Sequence, residues 1–537
     1  MHESREFLRS VDASSAASET SYAALAAGPR SRPAAAASRA GTSGAARGTT
    51  LILALLAVLL LLRLLGMEIL PLMDTTEARY AEIGRKMAAL GDWVTPWHDY
   101  GVPFWGKPPL SFWLTALSFR SFGIGEFTAR LPHFLCALGI AWSAWQLAVQ
   151  RSRWEALLTV ALLAGSTLFF VSAGAVMTDG ALVLGTTLAM LGFWRGLHGP
   201  QAPRQPGRWL LFIGIAIGLL AKGPLALVLI GTPLAGWTAL RREPRAVWRA
   251  FPWATGTALV AALVLPWYIA AELRTPGFLQ YFIVGEHWHR FMTPGWSGDL
   301  YGHAHRFPIG TVWVFAFAAA LPWSALVPAA AAWRRWKGEP ATQRADQAWR
   351  LYLLLWALTP LLLFTVARNI IWTYALPALP ALALLAGGWL ARWPGAGGRR
   401  LVCGGLMVSL VGVMVFDFQL VESGAPEYKS AKHLMRDAAA QCPIGGPLIY
   451  LGARPHSAAF YSGGRVRRAG DLAQVPTLLG ANAGCVAARQ QDAAAIGALP
   501  GITATPIARA GREMLWLAAP RIAEKVASAP GNSAPLP

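Results

Sequence analysis

Charged residues are scarce in this chain. Asp, Glu, Lys and Arg make up 14% of 537 residues against 55% hydrophobic ones, too little charge to cover three or four soluble domains. Acid is scarcer still, with 27 Asp and Glu facing 47 Lys and Arg for a formal net charge of +20. Four cysteines are too few for a disulfide scaffold, and Cys136 and Cys403 sit inside apolar runs as small hydrophobes. The sequence has no Walker loop, dinucleotide fingerprint or nucleophile elbow, which disfavours soluble nucleotide chemistry.

What is abundant is apolar and aromatic. With 25 Trp and a mean hydropathy of +0.41, most of the chain belongs in lipid, and its load of Leu, Ala, Trp and Phe excludes a disordered or fibrous protein. Apolar runs fall at 51–70, 131–150, 156–173, 181–194, 209–220, 224–240, 251–271, 309–333, 351–367, 371–391 and 401–418. Their lengths predict about 11 to 13 transmembrane helices, the upper figure allowing for Gly- or Pro-broken segments. A secretory signal is excluded, because the first run starts far from Met1 and no small-residue cleavage site follows it.

The basic residues form no stripe of the kind that binds nucleic acid; they collect in short loops between apolar runs. Arg151 and Arg153, Arg195 to Arg208, Arg241 to Arg249, Arg334 to Arg350, and Arg392 to Arg400 occupy alternate loops, which the positive-inside rule makes cytoplasmic together with the N-terminus. Residues 1–48, rich in Ala, Ser, Gly and Arg, read as a disordered basic cytoplasmic tail, and 49–419 as the transmembrane domain. Left on the far side are 72–127, a turn around Asp179, and 272–308; the first mixes charge with Trp, Tyr and Phe, as amphipathic helices in the headgroup zone do.

An odd number of spans also exports residues 420–537. β-like runs at 447–451, 485–489, 502–507 and 514–517 alternate with Ala-rich helical stretches, predicting a small α/β domain, and in an oxidising periplasm Cys442 and Cys485 either pair or remain two thiols. The fold class expected is thus a mainly α polytopic membrane protein with a small C-terminal α/β domain.

Carboxylates at a membrane are costly to bury and so are candidates for chemistry. Asp74 and Glu77 share one helical face directly after the first run, near Arg79 and Tyr80; the alternative is a capping box in which Asp74 caps and Glu77 reaches back. Asp179 stands almost alone between two apolar runs, as a functional acid or a helix cap. Lys107 in WGKPPL, Lys222 in LLAKGPL, Arg290 in GEHWHRF and Arg368 in VARNIIWTY are separated cations suited to a phosphate or pyrophosphate, with snorkelling as the alternative for Lys107. Glu286, His287, His289, His303 and His305 fall within about twenty residues, so zinc or a similar divalent metal is one reading of that cluster, with Glu286 and His287 as ligands; interfacial histidines bonded to backbone or lipid phosphate are the other.

These motifs in order resemble one family. The acidic pair beyond the first span, EARYAEIGRKM followed by GDWVTP, the KPPL segment, RLP near 130, the lone Asp, GLLAKGP, YFI…EHWHRF and TYALPALPAL are similar to the bacterial branch of the protein O-mannosyltransferase-like membrane glycosyltransferases, over roughly residues 50–420. Within that branch the pattern is nearest to members that move 4-amino-4-deoxy-L-arabinose onto lipid A. The resemblance implies a C-type glycosyltransferase fold in the bacterial inner membrane, an undecaprenyl phosphate-linked sugar donor, and a lipid A phosphate acceptor modified at the periplasmic face. It implies a first acidic position at Asp74 or Glu77, a second at Asp179, and donor-phosphate contacts from Lys107, Arg290 and Tyr374, with Arg79 beside them. Two departures stand out: family members usually read Asp-Glu-x-Arg-Tyr where this chain has Thr76-Glu77-Ala78-Arg79-Tyr80, and Gly106 stands where an acid is common. A related transferase acting on protein hydroxyls or another lipid is a second reading. A lipid or sugar flippase is a third, weakened by the absence of a convincing internal repeat.

In displacement at the anomeric carbon, cations must neutralise charge growing on the leaving phosphate. A hydroxyl acceptor would need a general base, whereas a phosphate acceptor, with a second pKa of about 6, is already mostly a dianion. For the latter, at least one of Asp74, Glu77 and Asp179 is expected to bind the sugar's cationic amine or to orient a cation.

Overall fold

The computed structural model describes residues 33–199, 206–293, 296–302, 305–338 and 346–521. Every apolar run read from the sequence is helical. The first lies in α1 (Pro33–Ile69), which begins inside the stretch 1–48 expected to be irregular; residues 1–32 lie outside the described residues. After it come α2 (Thr76–Leu90), a hairpin of β1 (Trp97–Asp99) and β2 (Val102–Pro103), and α3 (Leu110–Phe122). The membrane part continues with α4 (Glu126–Ala148), α5 (Arg153–Ala164), α6 (Thr167–Ser172), α7 (Asp179–His198), α8 (Trp209–Lys222), α9 (Leu225–Arg241), α10 (Pro244–Ala250) and α11 (Trp253–Arg274). A π-helical turn (Gln280–His289) runs into α12 (Arg290–Met292). Then follow α13 (Thr311–Ala319), α14 (Trp323–Trp336), α15 (Gln347–Thr365), a 3-10 stretch (Trp372–Ala378), α16 (Leu379–Ala391) and α17 (Gly397–Glu422).

Among the described residues six helices can cross a membrane by length and composition, or seven if α13 and α14, bent by 85°, form one span. The other four apolar runs form shorter helices (α8, α9), a pair broken at Gly165 and Ser166 (α5 and α6), or α4, whose Arg130 and His133 are buried in protein. Such segments escape a hydropathy count because neighbouring helices, not lipid, satisfy their polar groups. α7 is the central helix: 78% of its apolar window is enclosed by protein, against 17% for α17. It packs on α8 through small residues, and a Cβ on Gly185 would stand 2.7 Å from the Gly214 carbonyl oxygen, so glycine sets that approach.

Helix α2 departs from the expected headgroup-zone helix. Ala78, Tyr80 to Met87 are all buried, including Glu82, Arg85 and Lys86, because α3 covers one side and the C-terminal domain another. That domain contains α18 (Ala425–Tyr428), α19 (Lys432–Gln441), β3 (Leu448–Leu451), α20 (His456–Tyr461), β4 (Arg467–Ala469), α21 (Gln474–Leu479), β5 (Gly484–Arg489), α22 (Ala493–Gly497), β6 (Ile502–Ala510) and β7 (Glu513–Pro520). Its sheet has the order β4-β3-β5-β7-β6, parallel from β4 to β5 and antiparallel beyond. Four strands match the expected runs; β4, with the sequence Arg-Arg-Ala, has no apolar alternation to betray it. Cys442 and Cys485 form a disulfide that ties the end of α19 to β5.

Candidate functional site

Two cations far apart in sequence meet on one carboxylate, with Tyr374 nearby. Lys107 lies between the hairpin and α3, Arg290 at the end of the π-helical turn, and Tyr374 in the 3-10 stretch before α16. Lys107 Nζ donates to Glu286 Oε2 at 3.0 Å, and Arg290 Nη1 donates to both oxygens of Glu286, each at 3.0 Å. Both cations lie close enough to Tyr374 for its phenol to interact with their charge. Arg290 also reaches Asp299 at 3.5 Å, and Tyr281 donates its hydroxyl to Glu286.

Glu286 is therefore an internal anion seated between two cations, its side chain only 4% exposed. Burial alone would raise its pKa, yet Lys107 and Arg290 hold it below the usual carboxylate range. Burial likewise works against the charge on Lys107, and Glu286 outweighs it, leaving Lys107 above the usual lysine value. All three groups are charged near neutral pH.

Asp179 joins this group through Lys222. Lys222 Nζ donates to Asp179 Oδ1 at 2.7 Å and stands 5.1 Å from the ring centre of Tyr374. Each charge occupies the helix end whose dipole favours it, Asp179 opening α7 and Lys222 closing α8. Gly223 follows with φ +71°, and a Cβ there would stand 2.6 Å from the Phe282 ring, so glycine is required at that step. Thr178 makes no side-chain cap, and Asp179 serves as an ion-pair partner instead of a cap.

Glu77 is clamped elsewhere. Arg130 in the RLP motif binds it with two bonds of 2.8 and 2.7 Å and donates to the carbonyls of Met67, Leu70 and Pro71. Against the effect of burial, Arg130 holds the Glu77 carboxyl below its usual range. Glu77 also accepts from the Val176 N–H at 3.4 Å, which brings it against the loop three residues before Asp179.

Asp74 does not join the cations. Its carboxylate accepts from His456 N at 2.8 Å, Ser457 N at 3.2 Å and the Ser457 hydroxyl, capping α20 of the C-terminal domain. The capping box expected on α2 is absent too, since the N-terminus of α2 has no side-chain cap. Arg79 likewise lies apart from Glu286: it donates to the Tyr301 carbonyl at 2.7 Å and stacks near the rings of Tyr80 and Phe104. Arg368 is exposed, its carbonyl accepting from Phe307 N.

The residues offered as metal ligands do not fit one. Glu286 is engaged by two cations, and each ring nitrogen of His287 faces a backbone carbonyl, Phe282 O at 2.7 Å and Lys222 O at 3.0 Å. Among the described residues no group of three or more His, Cys, Asp or Glu converges on a metal position; His303 lies outside them. Sequence reasoning missed Glu286 as partner to both cations, Arg130 as clamp of Glu77, and Asp299. Only the four-residue spacing of Glu286 and Arg290 signals any of these contacts.

Comparison with known proteins follows this geometry. Residues 49–282 match the model of the dolichyl-phosphate-mannose-protein mannosyltransferase family. The undecaprenyl phosphate-alpha-4-amino-4-deoxy-L-arabinose arabinosyl transferase of Edwardsiella ictaluri is 32% identical over 63% of this chain and 59% of its own, and a protein of that name from Pseudomonas fluorescens is 31% identical over 62% and 57%. This chain thus spans about three fifths of the length of the curated relatives it matches. The crystal structure of ArnT from Cupriavidus metallidurans bound to undecaprenyl phosphate superposes with a TM-score of 0.73 at 20% identity, covering 89% of this chain and 99% of that one. The resemblance read from the motifs is borne out, and the fold is that of these membrane glycosyltransferases.

Proposed function

From that shared membrane glycosyltransferase fold as premise, we propose that this chain transfers 4-amino-4-deoxy-L-arabinose from undecaprenyl phosphate to a phosphate of lipid A, at the periplasmic face of the bacterial inner membrane. The observation that carries this reading is the convergence of Lys107 and Arg290 on Glu286, with Tyr374 near both. Two fixed cations and a phenol suit a leaving polyprenyl phosphate, whose charge grows as the anomeric bond breaks. Stabilisation of that charge in a site shielded from water is worth several kcal/mol.

The carboxylates favour a phosphate acceptor over a hydroxyl. Glu77, bound by Arg130 and held at a low pKa, is a poor proton acceptor near neutral pH, and Asp179 already neutralises Lys222. Neither is poised as a base, and a dianionic acceptor needs none. The role assigned to Asp179 is to hold Lys222 beside Tyr374 and to present negative charge to the aminosugar's ammonium. The Cys442–Cys485 disulfide supports an oxidising compartment for the C-terminal domain, and the arginine-rich loops support the same orientation.

The test is mass analysis of lipid A from cells lacking their own transferase, with and without this chain. An added aminopentose is the expected result; hexose on protein with lipid A unmodified would replace this reading by the protein-directed one. In the same cells Asp179→Asn is expected to abolish transfer at normal protein level, whereas near-normal transfer would remove Asp179 from the site.

A further inference from the structure

A second cationic site lies in the C-terminal domain, outside the residues assigned to the donor. A cleft of about 870 Å³ opens between that domain and the turn of the β1–β2 hairpin, and Arg454, Arg465, Arg467 and Arg468 line it. The single acid among its lining residues is Asp99, already held by Arg454 at 2.8 Å. Four arginines against one neutralised aspartate leave the cleft strongly positive.

Three of the four arginines are tied to backbone carbonyls, although Arg465, Arg467 and Arg468 are exposed. Arg454 is pinned by its bonds to Val466 O at 3.0 Å and to Asp99. Arg465 Nε donates to Ser462 O and Arg468 Nε to Gly452 O, each at 3.0 Å. The guanidiniums of Arg454, Arg465 and Arg468 each carry five N–H donors and these bonds use one or two, so their remaining donors are pre-oriented for a ligand. Planar, fixed guanidiniums match the oxygens of phosphate, which they bind through paired bonds. β4, which carries Arg467 and Arg468, is an edge strand, so one side of its backbone adds free N–H groups.

We propose that this cleft binds the phosphorylated polar head of the glycolipid acceptor while the donor occupies the Lys107 site. The inference rests on the proposed acceptor reading. Lys107 follows Asp99, at the cleft, by only eight positions, a stretch of at most about 29 Å when extended. The C-terminal domain acts here as an acceptor-binding module.

The experiment uses the full chain in lipid nanodiscs and the double variant Arg467→Glu/Arg468→Glu, whose side chains are exposed. KM for lipid A is expected to rise at least about tenfold, with kcat and undecaprenyl phosphate affinity retained, and Arg467→Lys/Arg468→Lys to lose less. A direct arm measures binding of the wild-type chain to vesicles bearing lipid A and to phosphatidylglycerol vesicles of equal charge. Preference for lipid A that the double variant loses supports the cleft. An unchanged KM, or an equal loss on both vesicles, overturns it. Should the wild-type chain modify no lipid A at all, the acceptor reading fails by itself, and the vesicle arm still decides whether the cleft recognises phosphorylated glycolipid.

Discussion

On the proposed reading, Glu286 is the residue on which the donor site turns. It takes the place a phosphate would take between Lys107 and Arg290, so an incoming phosphate meets two cations already partly satisfied. Binding then exchanges one anion for another, which keeps the cations ordered in the empty site and weakens retention of undecaprenyl phosphate after the sugar has left. Glu286→Gln removes the competing charge and is expected to tighten undecaprenyl phosphate binding by about tenfold, roughly 1.4 kcal/mol. Titration calorimetry on the purified protein reads this directly, and unchanged or weaker binding would show that Glu286 supports the cations more than it competes with the ligand.

Asp74 shows the opposite case, a carboxylate that looks chemical in sequence and proves architectural. Removing it with Asp74→Ala takes the cap from α20, at a cost of about 1 kcal/mol. A lowered thermal transition with near-normal transfer is the expected pair of results. Loss of transfer at unchanged stability would return Asp74 to the chemistry.

At the scale of elements, α2 is the piece that joins the membrane part to the C-terminal domain. Its first turn carries Glu77, clamped by Arg130, while its later turns carry Glu82, Arg85 and Lys86, bonded to one another and to the hairpin. α20 closes over it, with Tyr461 donating to Glu126 and accepting from Leu72 N, and Lys432 paired with Glu126 at 2.5 Å. This junction also half-buries two histidines. His98 and His456 sit ring to ring at 5.2 Å among Arg79, Lys86 and Arg454. Burial first, then the neighbouring cations, lowers His98 to about 4 and His456 to about 3.

The sign of the consequence follows from linkage. Both rings are neutral in the docked state and take up protons more readily once exposed, so docking is fully stable above the ordinary histidine pKa of about 6.5 and weakens as pH falls from there towards about 4. Hydrogen exchange over 74–104 and 454–466 is expected to quicken between pH 7 and pH 5. A His98→Phe/His456→Phe variant is expected to flatten that response, and an identical pH profile in the variant would place the sensitivity elsewhere.

For the whole molecule, the disulfide and the domain it braces decide where the protein can fold. Cys442 and Cys485 close a loop of 43 residues, a constraint on the unfolded chain worth up to about 4 kcal/mol in the loop-entropy model. Cys442→Ser/Cys485→Ser is expected to lower the thermal transition of the C-terminal domain and to increase its proteolysis. Equal stability with and without reductant would show that the five-stranded sheet holds without the bond.

Apolar runs alone determined the membrane class and the eleven helical runs, because burial in lipid is a demand that each segment meets by its own composition. That Lys107 and Arg290, separated in sequence, share a site was legible as well, through motifs that keep their order along the chain, and both meet Glu286. Which carboxylate meets which cation was decided only by the tertiary structure. Asp74 and Glu77 lie three residues apart, yet one caps a helix almost four hundred residues away and the other is locked to Arg130. Such pairings depend on distances between helices, and a charge in a sequence carries no record of the partner that packing brings to it.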